Sequence, residues 1–133
     1  MTGGTEHKYG PLSVTITHRN DRDFIVSPAG RIDSDTAIYL EGEVKEILAS
    51  SPRSIVFDME RVDYISSAGL GVIFSAKKHV VERGGTVLIT NLQPQIKKVF
   101  DILKSLPGQN VFQNIEEADR YLASIQKREK EKR

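Results

Sequence analysis

Residues Phe57 to Phe74, FDMERVDYISSAGLGVIF, hold a change from strand to helix around which the rest of the chain can be arranged. Ile55, Val56 and Phe57 form an apolar, β-branched and aromatic run that ends at Asp58, which predicts a short buried strand. A turn follows, and Val62, Tyr64 and Ile65 lead to the serine pair. The pair Ser66 and Ser67 then meets small and apolar residues in which Leu70, Ile73 and Phe74 recur at three- and four-residue spacing, the period of a helix. A serine oxygen ahead of such a run can accept from an amide that the first helical turn leaves unpaired. Ser66 and Ser67 are therefore expected at a helix mouth, with Leu70, Ile73 and Phe74 anchoring the helix and Gly69 and Gly71 allowing close approach.

Working outward, the same patterning gives alternating strands and helices. Val14, Ile16 and His18 alternate with Thr15 and Thr17, and Phe24 to Val26 follows a polar turn, so two antiparallel strands are expected. Pro28, Gly30 and Asp33 interrupt or end the second of them, and Gly30 suggests a bulge or a close approach of another backbone. Ser34, Asp35 and Thr36 open a helix with apolar positions Ala37, Leu40, Val44, Ile47 and Leu48. The helix after the serine pair runs to about Glu82, where Gly84 and Gly85 stop it. Val87 to Ile89 is a strand, and Pro94 suits the first turn of a helix carrying Ile96, Val99, Phe100, Ile102 and Leu103. Pro107 and Gly108 close that helix. A short strand at Val111 and Phe112 precedes a last amphipathic helix, Ile115 to Ile125. Strands returning through helices pair in parallel. The expected fold is α/β, a single domain with a mixed sheet of four to five strands and about four helices largely on one face.

The 133 residues suit one domain, expected over 13–126, between a disordered or loosely ordered head at 1–12 and a charged flexible tail at 127–133. Nineteen basic residues against eighteen acidic ones leave a formal charge of +1, which carries no nucleic-acid footprint. The tail KREKEKR holds five of those bases, so the remainder is mildly acidic. Without cysteine there is no disulfide, thiolate nucleophile or cysteine metal site. No run reaches the roughly 18 apolar residues of a membrane span, and the first residues lack a secretory signal's apolar region. A cytoplasmic protein that touches neither membrane nor nucleic acid is expected.

Enzyme chemistry finds little support. A serine nucleophile needs a base in reach, and Ser66 and Ser67 lie outside any G-x-S-x-G elbow, while His7, His18 and His79 fall on the head, a strand and a helix body. Ser75 to Lys78 spells S-x-x-K without its companion motifs. Asp58 and Asp63 have no third ligand at a recognisable spacing, and Gly69 with Gly71 lacks the remaining features of a phosphate loop. No catalytic residue, metal or cofactor is expected. On chemistry alone the serine pair has two readings, as simple caps or as a presented hydroxyl where added negative charge is favoured.

The stretch Asp58 to Ile73, DMERVDYISSAGLGVI, resembles the signature of the STAS family, and in particular its bacterial anti-sigma factor antagonists. Gly30-Arg31-Ile32-Asp33, the Gly84-Gly85 pair before an apolar strand, and Pro94 with the helix through Phe100 fall where that family has them. The resemblance covers roughly Ser13 to Ile125. It implies a non-enzymatic module that binds an anti-sigma factor serine kinase, frees a sigma factor and so regulates transcription indirectly, until phosphorylation ends the binding. The family's phosphorylated serine carries onto Ser67, with Ser66 as the alternative because Ser66 stands where the motif has aspartate. The implied partner surface is Asp33, Ser66, Ser67, Ala68, Gly69 and Leu70. A serine phosphatase acting on phosphorylated Ser67 completes the partners. An adaptor STAS module of a larger signalling complex is the alternative within the family, and a small serine hydrolase the one outside it.

Overall fold

Alternating burial along the strands builds a sheet with one covered face. The computed structural model describes residues 3–105 and 114–132. In chain order they form β1 (Gly3–Tyr9), β2 (Leu12–His18), β3 (Asp23–Ile32), α1 (Ala37–Ala49), β4 (Ser54–Asp58), β5 (Arg61–Ile65), α2 (Ser67–Glu82), β6 (Thr86–Thr90), α3 (Pro94–Ser105) and α4 (Ile115–Glu131). The α/β class and the mixed sheet are as the sequence predicts. The described residues hold six strands, however, rather than four or five. The strand expected at Val111 and Phe112, and the helix stop at Pro107 and Gly108, lie outside the described residues.

The sheet order is β1-β2-β3-β4-β6, with β5 also on β3. β1 to β3 are antiparallel, whereas β4 and β5 both lie parallel to β3 along the same side. β4 takes Asp23 to Val26 and β5 takes Ala29 to Ile32. Pro28, expected to break the strand, falls opposite the gap between these two partners, so β3 passes through it. Gly30 marks the register shift that follows. Its φ is +101°, and a Cβ there would lie 2.2 Å from the Pro11 carbonyl oxygen, which is the close backbone approach read from the sequence. Inward residues Val14, Ile16, Val26, Ile55, Phe57 and Val87 are buried, while Thr15, Ser27, Val56 and Leu88 face outward and remain partly or wholly exposed. α1 and α2 pack over the inward face.

Three expectations need correction. Residues 3–9 of the head, where disorder or a loose lead-in strand is expected, form a regular strand β1, paired with β2 at seven positions across a turn where Gly10 takes φ +61°. This polar strand gains its hold from side chains: His7 and Tyr9 both bond Glu43 of α1 at 2.8 Å, and Tyr9 stacks on Tyr39. The expected turn after Asp58 contains β5, whose residues Val62 and Ile65 are buried without strict alternation. The charged run from Lys127, expected to be a flexible tail, continues α4 to Glu131, with basic residues in the last turn where the helix dipole favours them.

The open side of β5 would otherwise expose unpaired backbone. Glutamine amides cover it. Gln93 donates to the Glu60 carbonyl at 2.9 Å and Gln95 to that of Asp63 at 3.0 Å. Gln126 of α4, 1% exposed, accepts from the Ile65 amide at 2.9 Å and donates to the Ile65 carbonyl at 2.8 Å. These bonds fix α3 and α4 beside the strand that leads into the serine pair.

Candidate functional site

The site lies where two parallel strands end together. Ile32 of β3 is in register with Ile65 of β5, so Asp33 and Ser66 leave adjacent strand ends, the position where α/β sheets present their binding residues. The Ser66 amide donates to the Ile32 carbonyl at 2.8 Å and ties the two exits together. No hydrogen bond joins Asp33 to either serine among the described residues.

The two serines have different surroundings. Ser66 is the N-cap of α2: it has extended backbone, is 2% exposed, and its Oγ accepts from the Gly69 amide at 3.1 Å. Ser67 is the first helical residue and half-buried. Its hydroxyl donates to Asp119 Oδ1 of α4 at 2.8 Å, and its amide donates to the same oxygen at 2.9 Å. A carboxylate therefore sits at the N-terminus of α2, where the helix dipole favours it. The hydroxyl meets no histidine.

Exposure also divides the other residues expected on this surface. Ala68 is exposed, whereas Gly69 and Leu70 face inward. A Cβ on Gly69 would approach Ile32 Cγ2 to 2.6 Å, so this glycine does allow close packing. Gly71 does not, because a Cβ there meets nothing within 4 Å. Leu70 and Ile73 anchor α2 in the core, each such burial being worth about 1.5–3 kcal/mol. Phe74, expected to share that role, is 42% exposed and meets Phe100 edge-on at 5.7 Å.

Thr36 is the N-cap of α1, as the cap-rich opening suggests, but without a side-chain cap bond, and Asp33 orders the turn that leads into it. Asp33 Oδ1 accepts from the amides of Asp35 and Thr36, both at 2.9 Å, and from the Thr36 hydroxyl at 3.2 Å. Burial pushes its carboxyl up, but the Thr36 and Asp35 hydrogen bonds and the nearby Arg31 charge outweigh that and leave it below the usual carboxylate range. Arg31 pairs with Asp33 at 3.3 Å and lies over the Tyr64 ring at 3.8 Å. Burial raises the Tyr64 phenol, an effect opposed by Arg31 and reinforced by the fields of Asp119 and Asp33. Arg31 and Tyr64 are thus neighbours beside Asp33, and Tyr64 lies in the fields of both carboxylates.

Sequence reasoning missed Asp119, Gln126, Arg31 and Tyr64 as parts of this arrangement. Asp119 is 52 residues from Ser67, and Gln126 is 61 from Ile65. On a helical pattern both read as ordinary polar positions. Arg31 and Tyr64 were within the quoted motifs, and only the β3–β5 pairing brings them together as neighbours.

The STAS domain model matches residues 15–118. BtrV of Bordetella bronchiseptica, whose name marks it provisionally as an anti-sigma factor antagonist, is 36% identical over 73 residues, which is 55% of this chain and 63% of that protein. The match spans less than two thirds of BtrV's length. The anti-sigma-B factor antagonist of Bacillus subtilis is 32% identical over 84 residues, 63% of this chain and 76% of the relative. Among solved structures, the anti-sigma factor antagonist SpoIIAA in its unphosphorylated form superposes with a TM-score of 0.63 at 15% identity, covering 68% of this chain and 80% of that one. The phosphorylated form of Bacillus SpoIIAA gives 0.59 at 16% identity, over 68% and 82%. These two likenesses bear on the fold.

Proposed function

The chain belongs to the STAS domain family, beside the anti-sigma factor antagonists, and on that premise we propose that it is a phosphorylation-switched module that binds an anti-sigma factor serine kinase and frees a sigma factor. It acts in the cytoplasm and regulates transcription through that exchange, with no catalysis or cofactor of its own. The partner surface is the shared exit of β3 and β5, with Asp33, Ser67 and Ala68 outermost and Ser66, Gly69 and Leu70 holding its shape from beneath.

The observation that carries this reading is the different use of the two hydroxyls. Ser66 is buried and committed to the Gly69 amide, while Ser67 is half-exposed at the helix mouth. That favours Ser67 over Ser66 as the modified residue. In the transfer, Ser67 Oγ bonds to the γ-phosphorus of ATP carried by the kinase, its proton leaves, and ADP departs. A phosphatase returns the hydroxyl by hydrolysis, releasing inorganic phosphate. SpoIIAA, a protein of this fold, has been solved in both phosphorylated and unphosphorylated forms.

A phosphoserine carries about −1.5 to −2 charges. A helix N-terminus stabilises an anion by roughly 0.3–1 kcal/mol, so the domain stays folded. The switch acts on docking, where a dianion near Asp33 and Asp119 is desolvated or repelled. Like-charge juxtaposition at an interface costs several kcal/mol, and about 1.4 kcal/mol already gives a tenfold change in affinity.

The test is incubation with the cognate kinase and ATP, followed by mass spectrometry of the peptide spanning both serines. Modification at Ser67 is expected. An unmodified peptide contradicts the switch, and modification at Ser66 moves the site.

A further inference from the structure

Asp119 and Ser67 share one oxygen, and that contact depends on the hydroxyl proton. Oδ1 accepts from both the amide and the hydroxyl of Ser67, at 2.9 and 2.8 Å. Phosphoryl transfer replaces the hydroxyl proton by a P–O bond, so Ser67 loses the donor that faces Asp119. In its place stand strong acceptor oxygens with about −1.5 to −2 charges, beside a carboxylate that has nothing to donate.

The two anions then compete for the Ser67 amide. The phosphate has an additional donor available. The Ala68 amide lies at the same exposed helix mouth and has no partner among the described residues. Among the described residues, Asp119 hydrogen-bonds to Ser67 alone. A charged hydrogen bond turned into a like-charge contact favours departure of the group that can move away, and Asp119 is carried on a separate helix.

α4 is held unevenly along its length. Asp119 ties it to α2, and Gln126, two turns further on, ties it to β5, with Leu122 and Ile125 buried between and beside them. The first turn begins at Ile115, which is 67% exposed, under the Asn114 cap. Losing Asp119 therefore unties the beginning of α4 from α2, while its packing on α3 and the Gln126 attachment remain.

We propose that Asp119 holds the Ser67 hydroxyl in the unmodified protein and is expelled by a phosphoryl group there, so that the N-terminal turns of α4 sense the modification state of Ser67. The switch then has two parts, added charge at the mouth of α2 and a loosened helix beside it. Its biological use rests on Ser67 being the modified residue, whereas the coupling requires only a phosphate at that position.

The test places phosphoserine at position 67 during synthesis of the full chain and compares amide hydrogen exchange with the unmodified chain. Residues 115–122 are expected to exchange at least tenfold faster in the phosphorylated chain, and amides of β3 to remain unchanged. In an Asp119→Asn chain the side-chain amide can donate to the phosphate, so the phosphate-induced change is expected to fall below threefold. A merely structural role for Asp119 would shift the baseline without altering this phosphate-dependent difference. Equal exchange with and without phosphate overturns the proposal, as does an increase of the same size in Asp119→Asn. Because the phosphate is installed without a kinase, this result is independent of which serine a kinase selects.

Discussion

The side-chain amide of Gln126 satisfies both backbone groups of Ile65, as a neighbouring strand would. It closes the open side of β5 one residue ahead of Ser66. Helix α4 is thereby fastened to the strand that sets the position of the serine pair.

Replacing Gln126 with leucine keeps an apolar volume but leaves a buried donor and acceptor unpaired, each worth about 1–3 kcal/mol. Gln126→Leu is expected to lower unfolding free energy by about 2–6 kcal/mol in urea titration. A loss below about 0.5 kcal/mol, the range of an ordinary surface substitution, contradicts this assignment.

Gly69 and Gly71 are two residues apart and predict opposite outcomes. In Gly69→Ala the new methyl meets Ile32 and Ile65, at 2.6 and 3.0 Å, so overpacking should cost about 1–3 kcal/mol. In Gly71→Ala the methyl enters open space on a helix interior and should add about 0.5–1 kcal/mol. Thermal unfolding of both variants measures the contrast; equal shifts contradict it.

Acid sensitivity follows from two aspartates with lowered pKa. Asp23 at the start of β3 accepts from Arg53, from Ser54 at 2.7 Å and from Asn20 at 2.7 Å, and these bonds hold its carboxyl well below the usual range. Asp33 is lowered by the Thr36, Asp35 and Arg31 contacts despite its burial. The unfolded chain binds these protons first, near the ordinary aspartate value of about 3.9. The stability they contribute is thus complete above that value and is lost as pH falls toward the depressed folded values. Urea midpoints at pH 7 and pH 3 should fall less in Asp23→Asn than in the parent, and an equal fall contradicts the assignment.

Much of the fold was legible because its signals are local. The apolar run Ile55 to Phe57, the capped helix from Ser67 and the close approach at Gly30 follow from a few adjacent residues. β1 was legible only as disorder or a loose lead-in strand because it is polar and is held by Glu43 and Tyr39 from another element. β5 was missed because its burial follows the shifted edge of β3 rather than a two-residue alternation. The serine pair could be placed at a helix mouth, but the partner of Ser67 could not, since Asp119 reaches it only through the packing of α4. The division between a buried cap at Ser66 and a half-exposed Ser67 likewise required the tertiary structure.

Charge on Ser67 is expected to end partner binding while the domain stays folded. The most direct test is the affinity of the cognate anti-sigma factor kinase for the unmodified chain and for the chain carrying phosphoserine at position 67, with circular dichroism recorded on both. The same folded spectrum is expected for both, with at least tenfold weaker binding by the phosphorylated chain, a difference of about 1.4 kcal/mol or more. Equal affinity for the two folded forms would contradict this expectation.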